Sequence, residues 1–276
     1  MFIQTIMLLG TILINFFPED FMYPLSRFLG LLWYFISKRK YTIRKNVFMI
    51  TGKNDEKIVK RTFINFIYIY LLLLKLPSLN KSAFISLFPE DIKEKHLKSM
   101  ENNKGGILVG AHLGGWELAG PLVSALGYKI ISVAESKGPG ERFFRFYLKY
   151  RERFGARIIK LEEKNIVFKI SEYLKEGYLI GLISDRDISK TGKIVEFLNG
   201  KVSLPYGTSL IARRFKAKVL TGFIFVKEGK LDVVTYPVID GENLNSEEIF
   251  LKIKEYIEDA VRKFPDNWFV FEDIWR

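Results

Sequence analysis

The chain has 276 residues, which is enough for one large domain and an additional short segment. It contains no cysteine, which excludes a disulfide framework, a thiolate metal site and a cysteine nucleophile. The net charge is +12, yet 48% of the residues are hydrophobic and 15% are aromatic. This composition suits an anionic membrane surface, an anionic lipid or an acidic carrier protein better than DNA. The sequence has no zinc-finger spacing, basic heptads or RNA-recognition aromatic motif, so no nucleic-acid partner is expected.

The N-terminal region predicts membrane association. Residues 1–17 carry no charged side chain, and roughly 17 residues is close to the shortest run that spans a bilayer. The run lacks the basic start and cleavage site of a signal peptide, so we expect it to be retained; a buried core helix is the alternative. A second apolar run, 28–36, lies between Arg27 and the basic segment 38–40. By the positive-inside rule, residues 1–50 form anchoring or interfacial helices, and residues 51–276 form a domain on the cytoplasmic side.

The remaining chain alternates helical and strand patterns. A long helix is predicted over 54–76, ended by Pro77, and a polar helix over 89–103, where His96 is expected on a solvated, charged face. Further helices are predicted over 116–126, 141–154, 165–175, 206–215 and 246–263. Strands are predicted over 106–110, 129–134, 156–161, 178–183 and 192–198, with a hairpin over 218–226 and 231–238. This pattern predicts a single α/β domain.

The central stretch runs from Gly106 to Gly120 and contains His112 at the end of a buried strand, where open α/β sheets bind ligands. Glu117 follows five residues later. Gly114 and Gly115 allow the chain to fold back, which would bring the carboxylate against the imidazole and create an oriented general base. A structural histidine before a helix-capping carboxylate explains the same spacing.

This stretch resembles the His-x4-Glu/Asp motif of the lipid A biosynthesis lauroyl/myristoyl acyltransferases and the related phosphatidylinositol mannoside acyltransferases. That motif commonly reads His-x-Gly-Asn-Trp-Glu, so Gly115 departs from the usual asparagine. Three later segments also resemble family motifs, and the resemblance extends from about 105 to 268. They are the Tyr-Arg-x-x-x-Gly segment at 150–155, Asp-Arg-Asp at 185–187 followed by Val-Glu-Phe at 195–197, and Pro-x-x-Trp at 265–268.

The resemblance implies roles for residues in these motifs. Arg151 is expected to hold a phosphate or carbonyl oxygen, Glu196 to form hydrogen bonds in the active site, and Trp268 to pack in the core. Many family members continue after Trp268 with a His, Arg pair, where this chain has Glu272 and Asp273.

The segment Asp185, Arg186 and Asp187 has two interpretations. The first is an ion-paired cluster that directs the guanidinium toward a substrate phosphate, which makes all three substrate-binding candidates. The second is an Asp-x-Asp metal site, as in nucleotide-sugar glycosyltransferases. The central arginine disfavours a dication nearby, and the resemblance agrees with the first interpretation.

The resemblance therefore implies a glycerolipid-acyltransferase-like domain, a central mixed sheet flanked by helices, with the N-terminal membrane-associating helices added. The expected enzyme moves an acyl chain from an acyl carrier protein or CoA thioester to a hydroxyl of an anionic glycolipid at the inner membrane. The preferred acceptor is a lipid A precursor; the alternatives are a phosphatidylinositol mannoside acceptor, the metal-dependent glycosyltransferase, and a non-catalytic lipid- or nucleic-acid-binding protein.

In the expected reaction His112 accepts the hydroxyl proton and Glu117 holds its ring. The backbone N–H groups of Gly114 and Gly115 stabilise the oxyanion. The thioester is a co-substrate, and neither a cofactor nor a metal is expected.

Overall fold

The computed structural model describes residues 10–100, 105–136 and 140–276. Its N-terminal part is helical, with α1 (Met22–Ile36), α2 (Arg39–Thr51), α3 (Glu56–Lys75) and the short α4 (Lys81–Ile85). Helix α3 begins where the Asp55 carboxylate accepts hydrogen bonds from two first-turn N–H groups, and it ends just before Pro77. Helices α1 and α3 pack closely at Gly30, where a Cβ atom would lie 2.6 Å from the Cα of Ile64. Within the described ranges, no helix has the length and apolar content needed to cross a bilayer.

The rest of the chain alternates strands and helices. In chain order they are β1 (Gly106–Gly110), α5 (Trp116–Ala125), β2 (Ile130–Ala134), α6 (Glu141–Arg151), β3 (Arg157–Lys160), α7 (Ile166–Lys175), β4 (Leu179–Ile183), β5 (Lys193–Phe197), β6 (Gly200–Leu204), α8 (Gly207–Arg214), β7 (Lys218–Lys227), β8 (Lys230–Thr235), β9 (Ile239–Asp240) and α9 (Ser246–Lys263).

The central sheet is mixed, with strand order β3-β2-β4-β1-β7-β8, and β9 pairs with β7. The first five strands of this order are parallel, whereas β8 and β9 run antiparallel to β7. Strands β5 and β6 form a separate two-stranded sheet. The α/β architecture with a central mixed sheet flanked by helices is therefore confirmed.

Helices cover both faces of the sheet. On one face, Ile107, Val109 and Val219 pack against buried residues of α9. The apolar residues of α9 recur every three to four positions, which places them on one side of the helix. Leu108 and Leu220, one residue further along their strands, share the other face with Val123 of α5. The C-terminal ends of β1 and β4 meet side by side, because Gly110 pairs with Ile183. This arrangement brings together the residues that follow these two strands.

The segment around His96 differs from the prediction. Instead of a polar helix, a π-helical turn (Lys93–Leu97) and a 3-10 turn (Lys98–Met100) precede residues 101–103, which lie outside the described part. The expectation that His96 lies on a solvated face is wrong, since its side chain is only 7% exposed. The apolar side chains of Leu97 and Met100 pack against Leu220, and their burial carries His96 inward.

Candidate active site

His112 lies in the loop that connects β1 to α5. The C-terminal segment fixes this loop, because the Phe269 N–H donates to the His112 carbonyl at 2.7 Å and the Gly114 N–H donates to the Asn267 carbonyl at 2.7 Å. Asn267 is itself fixed to β7 by paired hydrogen bonds between its side-chain amide and the Val226 backbone. The C-terminal segment, itself bonded to β7, thus fixes the backbone of the loop that carries the imidazole.

Asp185 orients the His112 ring. Its carboxylate lies 2.8 Å from His112 Nδ1 and accepts further hydrogen bonds, both at 2.9 Å, from the His112 backbone N–H and from Trp268 Nε1. Burial opposes ionisation of Asp185, but the neighbouring His112 and these hydrogen bonds outweigh it and lower the pKa of the carboxyl group. An ionised Asp185 accepts a hydrogen bond from the Nδ1–H group, and this leaves Nε2 as the basic nitrogen.

Two cavities meet at His112. The larger, about 510 Å³, lies between α5 and the sheet and is mostly lined by apolar groups. Small residues provide its space, notably Gly110, Gly181 and Gly222 on the strands and Ala119 and Gly120 on α5. The smaller cavity, about 290 Å³, is polar and includes Arg39, Arg151, Arg186 and Glu272 in its lining. The imidazole therefore faces both a space suited to a hydrocarbon chain and a space suited to an anionic group.

Comparison with known proteins agrees with this geometry. The family model described as "Bacterial lipid A biosynthesis acyltransferase" matches residues 1–276, the whole chain. The chain belongs to this family.

Curated proteins that are similar to this member of the lipid A biosynthesis acyltransferase family are named phosphatidylinositol mannoside acyltransferases. The protein from Mycobacterium tuberculosis is 23% identical over 173 residues, which cover 62% of this chain and 54% of the relative. The protein from Mycolicibacterium smegmatis is 22% identical over 241 residues, covering 84% of this chain and 78% of the relative. The chain thus spans about half the length of the first of these relatives.

The structure corrects the partner expected for the family's His-x4-Glu motif. Glu117 does not hold His112; it forms a bidentate ion pair with Arg151, with both N···O distances at 2.7 Å. The pair forms because α6 ends at Arg151 against the first turn of α5, where Glu117 lies, with its side chain only 5% exposed. The Arg151 guanidinium also lies 4.6 Å from the Tyr147 ring centroid.

Tyr70 lines both cavities beside this ion pair. Burial, together with the nearby charge of Glu117, raises the pKa of Tyr70 to about 12, so its hydroxyl group stays protonated near neutral pH.

The predicted oxyanion role of Gly114 and Gly115 is also wrong. Their N–H groups donate to the carbonyls of Asn267 and Ile224, at 2.7 and 2.9 Å, and are therefore occupied. Close approach to β7 explains both glycines: a Cβ on Gly114 would lie 1.9 Å from the Ile224 carbonyl oxygen, and one on Gly115 would lie 2.7 Å from Ile224 Cγ2. A side chain at 115, such as the common asparagine, would require the Ile224 side chain to shift in this chain.

Arg186 is the residue of the Asp-Arg-Asp segment that faces the polar cavity. Its Nη1 lies 3.5 Å from His112 Nε2, and its Nε donates to Glu272 at 2.7 Å. Asp187 instead accepts hydrogen bonds from the Gly192 N–H at 2.9 Å and from Ser203 Oγ at 2.7 Å, so it closes a loop and does not bind in either cavity. Asp185 and Asp187 thus have separate partners and do not form a shared ligand set. Across the described ranges, no cluster of three His, Asp or Glu residues is arranged to hold a metal ion.

Glu196 lies away from His112. It is on β5, its side chain is 73% exposed, and it pairs with Lys201 of β6. The expected active-site hydrogen bond is therefore not present, because alternation along β5 directs Glu196 outward while Phe197 is buried.

Two contributions to the site were missed by sequence reasoning. Trp268 is buried as expected, but its indole N–H also positions Asp185. Arg39 reaches the polar cavity from the start of α2, and its guanidinium donates to the Phe271 carbonyl. The Pro-x-x-Trp motif could have indicated a role for Trp268. The basic segment 38–40 contains three cations, and nothing in the sequence distinguishes Arg39 from the two lysines beside it.

Proposed function

We propose that this protein is an O-acyltransferase that moves a fatty acyl chain from a carrier thioester to a hydroxyl of a glycolipid. One observation carries the proposal: the histidine that Asp185 orients lies where an apolar cavity meets a polar cavity that contains three arginines. The apolar cavity matches the acyl chain, and the arginines of the polar cavity match the phosphates of a glycolipid or of a pantetheine carrier. Membership of the lipid A biosynthesis acyltransferase family agrees with this reading.

In the proposed reaction His112 Nε2 accepts the proton of the acceptor hydroxyl as its oxygen attacks the thioester carbonyl. The carbon–oxygen bond forms, the carbon–sulfur bond breaks, and the imidazolium returns the proton to the leaving thiolate. Asp185 stabilises the imidazolium while it exists. The Arg186 guanidinium, 3.5 Å from Nε2, is the described cation best placed to stabilise negative charge on the carbonyl oxygen.

The preferred acceptor is a lipid A precursor, in line with the family description. The names of the mycobacterial relatives favour phosphatidylinositol mannoside as a second candidate. Acyl carrier protein and CoA are both suitable donors, since each presents the thioester on a phosphopantetheine arm.

The direct test incubates the purified full chain with acyl carrier protein or CoA thioesters and each acceptor in turn. We expect mass spectrometry to show the acceptor gaining one acyl group as an ester, with release of one free thiol. Gain on the mannoside alone would select the second candidate. No ester with any of the four combinations would contradict the proposed activity.

We also propose that the first two helices place the protein on the cytoplasmic face of the inner membrane. Exposed apolar side chains recur along one face of α1, including Phe28 at 67%, Phe35 at 64% and Ile36 at 74%. The basic segment 38–40 follows directly, so apolar insertion and attraction to anionic lipid act together. The part of the predicted N-terminal anchor in residues 1–9 lies outside the described residues.

Vesicle sedimentation tests this placement. The double variant Phe28→Ser/Phe35→Ser is expected to bind phosphatidylglycerol vesicles at least about 10-fold more weakly, because each buried aromatic contributes about 1.5 to 3 kcal/mol. Phe168→Ser, at a similarly exposed phenylalanine on α7, is the matched control and should bind like wild type. Equal loss in both variants, or no loss in the double variant, would contradict the proposed surface.

A further inference from the structure

The three arginines of the polar cavity are not equally free to bind a ligand. Arg151 forms a bidentate ion pair with Glu117, whose side chain is only 5% exposed. Arg186 pairs with Glu272, whose side chain is 53% exposed, and within the described ranges Arg39 pairs with no carboxylate. Breaking a buried ion pair is costly, whereas an exposed pair contributes little because water and salt screen it. The Glu117 pair is therefore permanent, and the Glu272 pair can be exchanged for another anion.

Consecutive residues of the C-terminal segment hold the other two arginines. The Phe271 carbonyl accepts a hydrogen bond from Arg39 Nη1 at 3.2 Å. The next residue, Glu272, accepts one from Arg186 Nε at 2.7 Å. The Phe271 ring packs against Trp33 of α1, with 5.0 Å between the ring centroids. Because this packing holds the backbone, the Glu272 side chain alone can turn toward solvent and leave both guanidinium groups facing the cavity.

The Arg186 guanidinium uses separate edges for its two neighbours. Its Nε and Nη2 lie 2.7 and 2.5 Å from Glu272 Oε1, whereas its Nη1 lies 3.5 Å from His112 Nε2. A carboxylate and a phosphate suit the same edge of a guanidinium, since each presents oxygens that accept its parallel N–H bonds. A phosphate that replaces Glu272 thus leaves Nη1 beside the imidazole, available to the reacting carbonyl oxygen.

The position of this cavity indicates which substrate supplies the phosphate. Arg39 begins α2 three residues after Ile36, which ends α1 and is 74% exposed. This junction belongs to the surface that we propose to contact the membrane, where the headgroup phosphate of a lipid lies. A thioester carrier arrives from the cytoplasm instead. The lipid acceptor is therefore the better match for the polar cavity.

We propose that Arg39 and Arg186 form a subsite for the phosphate group of the lipid acceptor, and that Glu272 occupies this subsite until that phosphate displaces it. Naming the ligand as the acceptor rests on the proposed acyl transfer. Glu272 lowers the affinity for the phosphate, because only the fraction of molecules with a broken Glu272–Arg186 pair is ready to bind. In the absence of substrate, the same pair keeps the Arg186 charge compensated.

Calorimetric titration of the purified full chain with dihexanoyl phosphatidic acid, a soluble lipid phosphate, tests the subsite without turnover. Glu272→Gln should bind this probe about 2- to 5-fold more tightly, which corresponds to the strength of one exposed ion pair. Arg39→Gln should bind it at least about 5-fold more weakly, because a charge-assisted hydrogen bond is lost. Titration with CoA, which carries the phosphates of a donor, should give the wild-type affinity in Glu272→Gln.

Asp273→Asn is the matched control, because it makes the same carboxylate-to-amide change at the next residue. The Asp273 side chain is similarly exposed, at 56%, but it pairs with Lys45, and neither residue lines the polar cavity. This variant should bind the lipid phosphate like wild type.

The results separate the possible failures. Unchanged binding in Glu272→Gln, or an equal gain in Asp273→Asn, would overturn the subsite, since no effect would then be specific to the Arg186 pair. A gain for CoA as large as the gain for the lipid phosphate would overturn the assignment to the acceptor. Acyl transfer is measured separately. Normal wild-type turnover with unchanged probe binding would contradict only the subsite, whereas the expected binding changes without any ester product would contradict the proposed function.

Discussion

Replacing His112 with alanine is expected to reduce kcat of acyl transfer by about 10² to 10⁴-fold, the usual contribution of one general base. The other histidine of the chain, His96, is held beside Thr235 of β8, whereas Asp185 is bonded to His112, so we do not expect His96 to replace the missing base. Substrate binding should change little, because the apolar cavity and the arginines remain. Steady-state kinetics with a saturating thioester measures the loss.

A second variant separates catalysis from folding. His112→Asn can keep a side-chain N–H directed at Asp185 but has no basic nitrogen at the Nε2 position, so it should be inactive and still as heat-stable as wild type. His96→Gln, at the other histidine of the chain, is the control and should transfer acyl groups at close to the wild-type rate. Turnover near the wild-type level in both His112 variants would rule out this histidine as the base.

Much of the fold follows from local sequence patterns. Helix α9 has the predicted limits because the Asn245 side chain caps it and its apolar residues recur at helical spacing. The β7–β8 hairpin turns at Glu228 and Gly229 as predicted, and both residues have positive φ angles. The segment around His96 was mispredicted because charged neighbours dominate its pattern, whereas burial of Leu97 and Met100 decides its conformation.

The position of His112 was predictable, but its partner was not. A strand followed by a glycine-containing loop places this residue at the end of the sheet, and the structure agrees. Which carboxylate reaches the imidazole depends on the β1–β4 register and on the C-terminal segment that brings Trp268 to Asp185. Spacing within one motif carries no information on contacts between residues 73 positions apart. Glu117 was therefore assigned to the nearest partner in sequence, while its partner in space is Arg151.

Replacing Asp185 with asparagine tests this reassignment. Asparagine preserves the shape, but its amide can donate to Nδ1 and thereby move the ring proton to Nε2, where it blocks the base. We expect kcat to fall by about 10²-fold or more, given that the same change in the Ser-His-Asp triad costs about 10⁴-fold. Since Trp268 and the His112 backbone retain an acceptor oxygen, the fold should persist, which circular dichroism and thermal unfolding can verify.

Glu117→Gln is the matched control, because it makes the same carboxylate-to-amide change in a neighbouring buried carboxylate. The substitution removes the negative charge that pairs with Arg151, so we expect it mainly to lower the free energy of unfolding. Complete loss of a buried ion-pair partner costs about 3 to 5 kcal/mol, and the amide, which still accepts one hydrogen bond, should cost less. The kcat of the folded Glu117→Gln protein should stay within about 10-fold of the wild-type value, a smaller loss than that expected when the general base is impaired. The reverse pattern would be loss of acyl transfer in Glu117→Gln and normal transfer in Asp185→Asn. That result would assign the orienting role to Glu117, because it would mean that the imidazole changes its carboxylate partner during turnover.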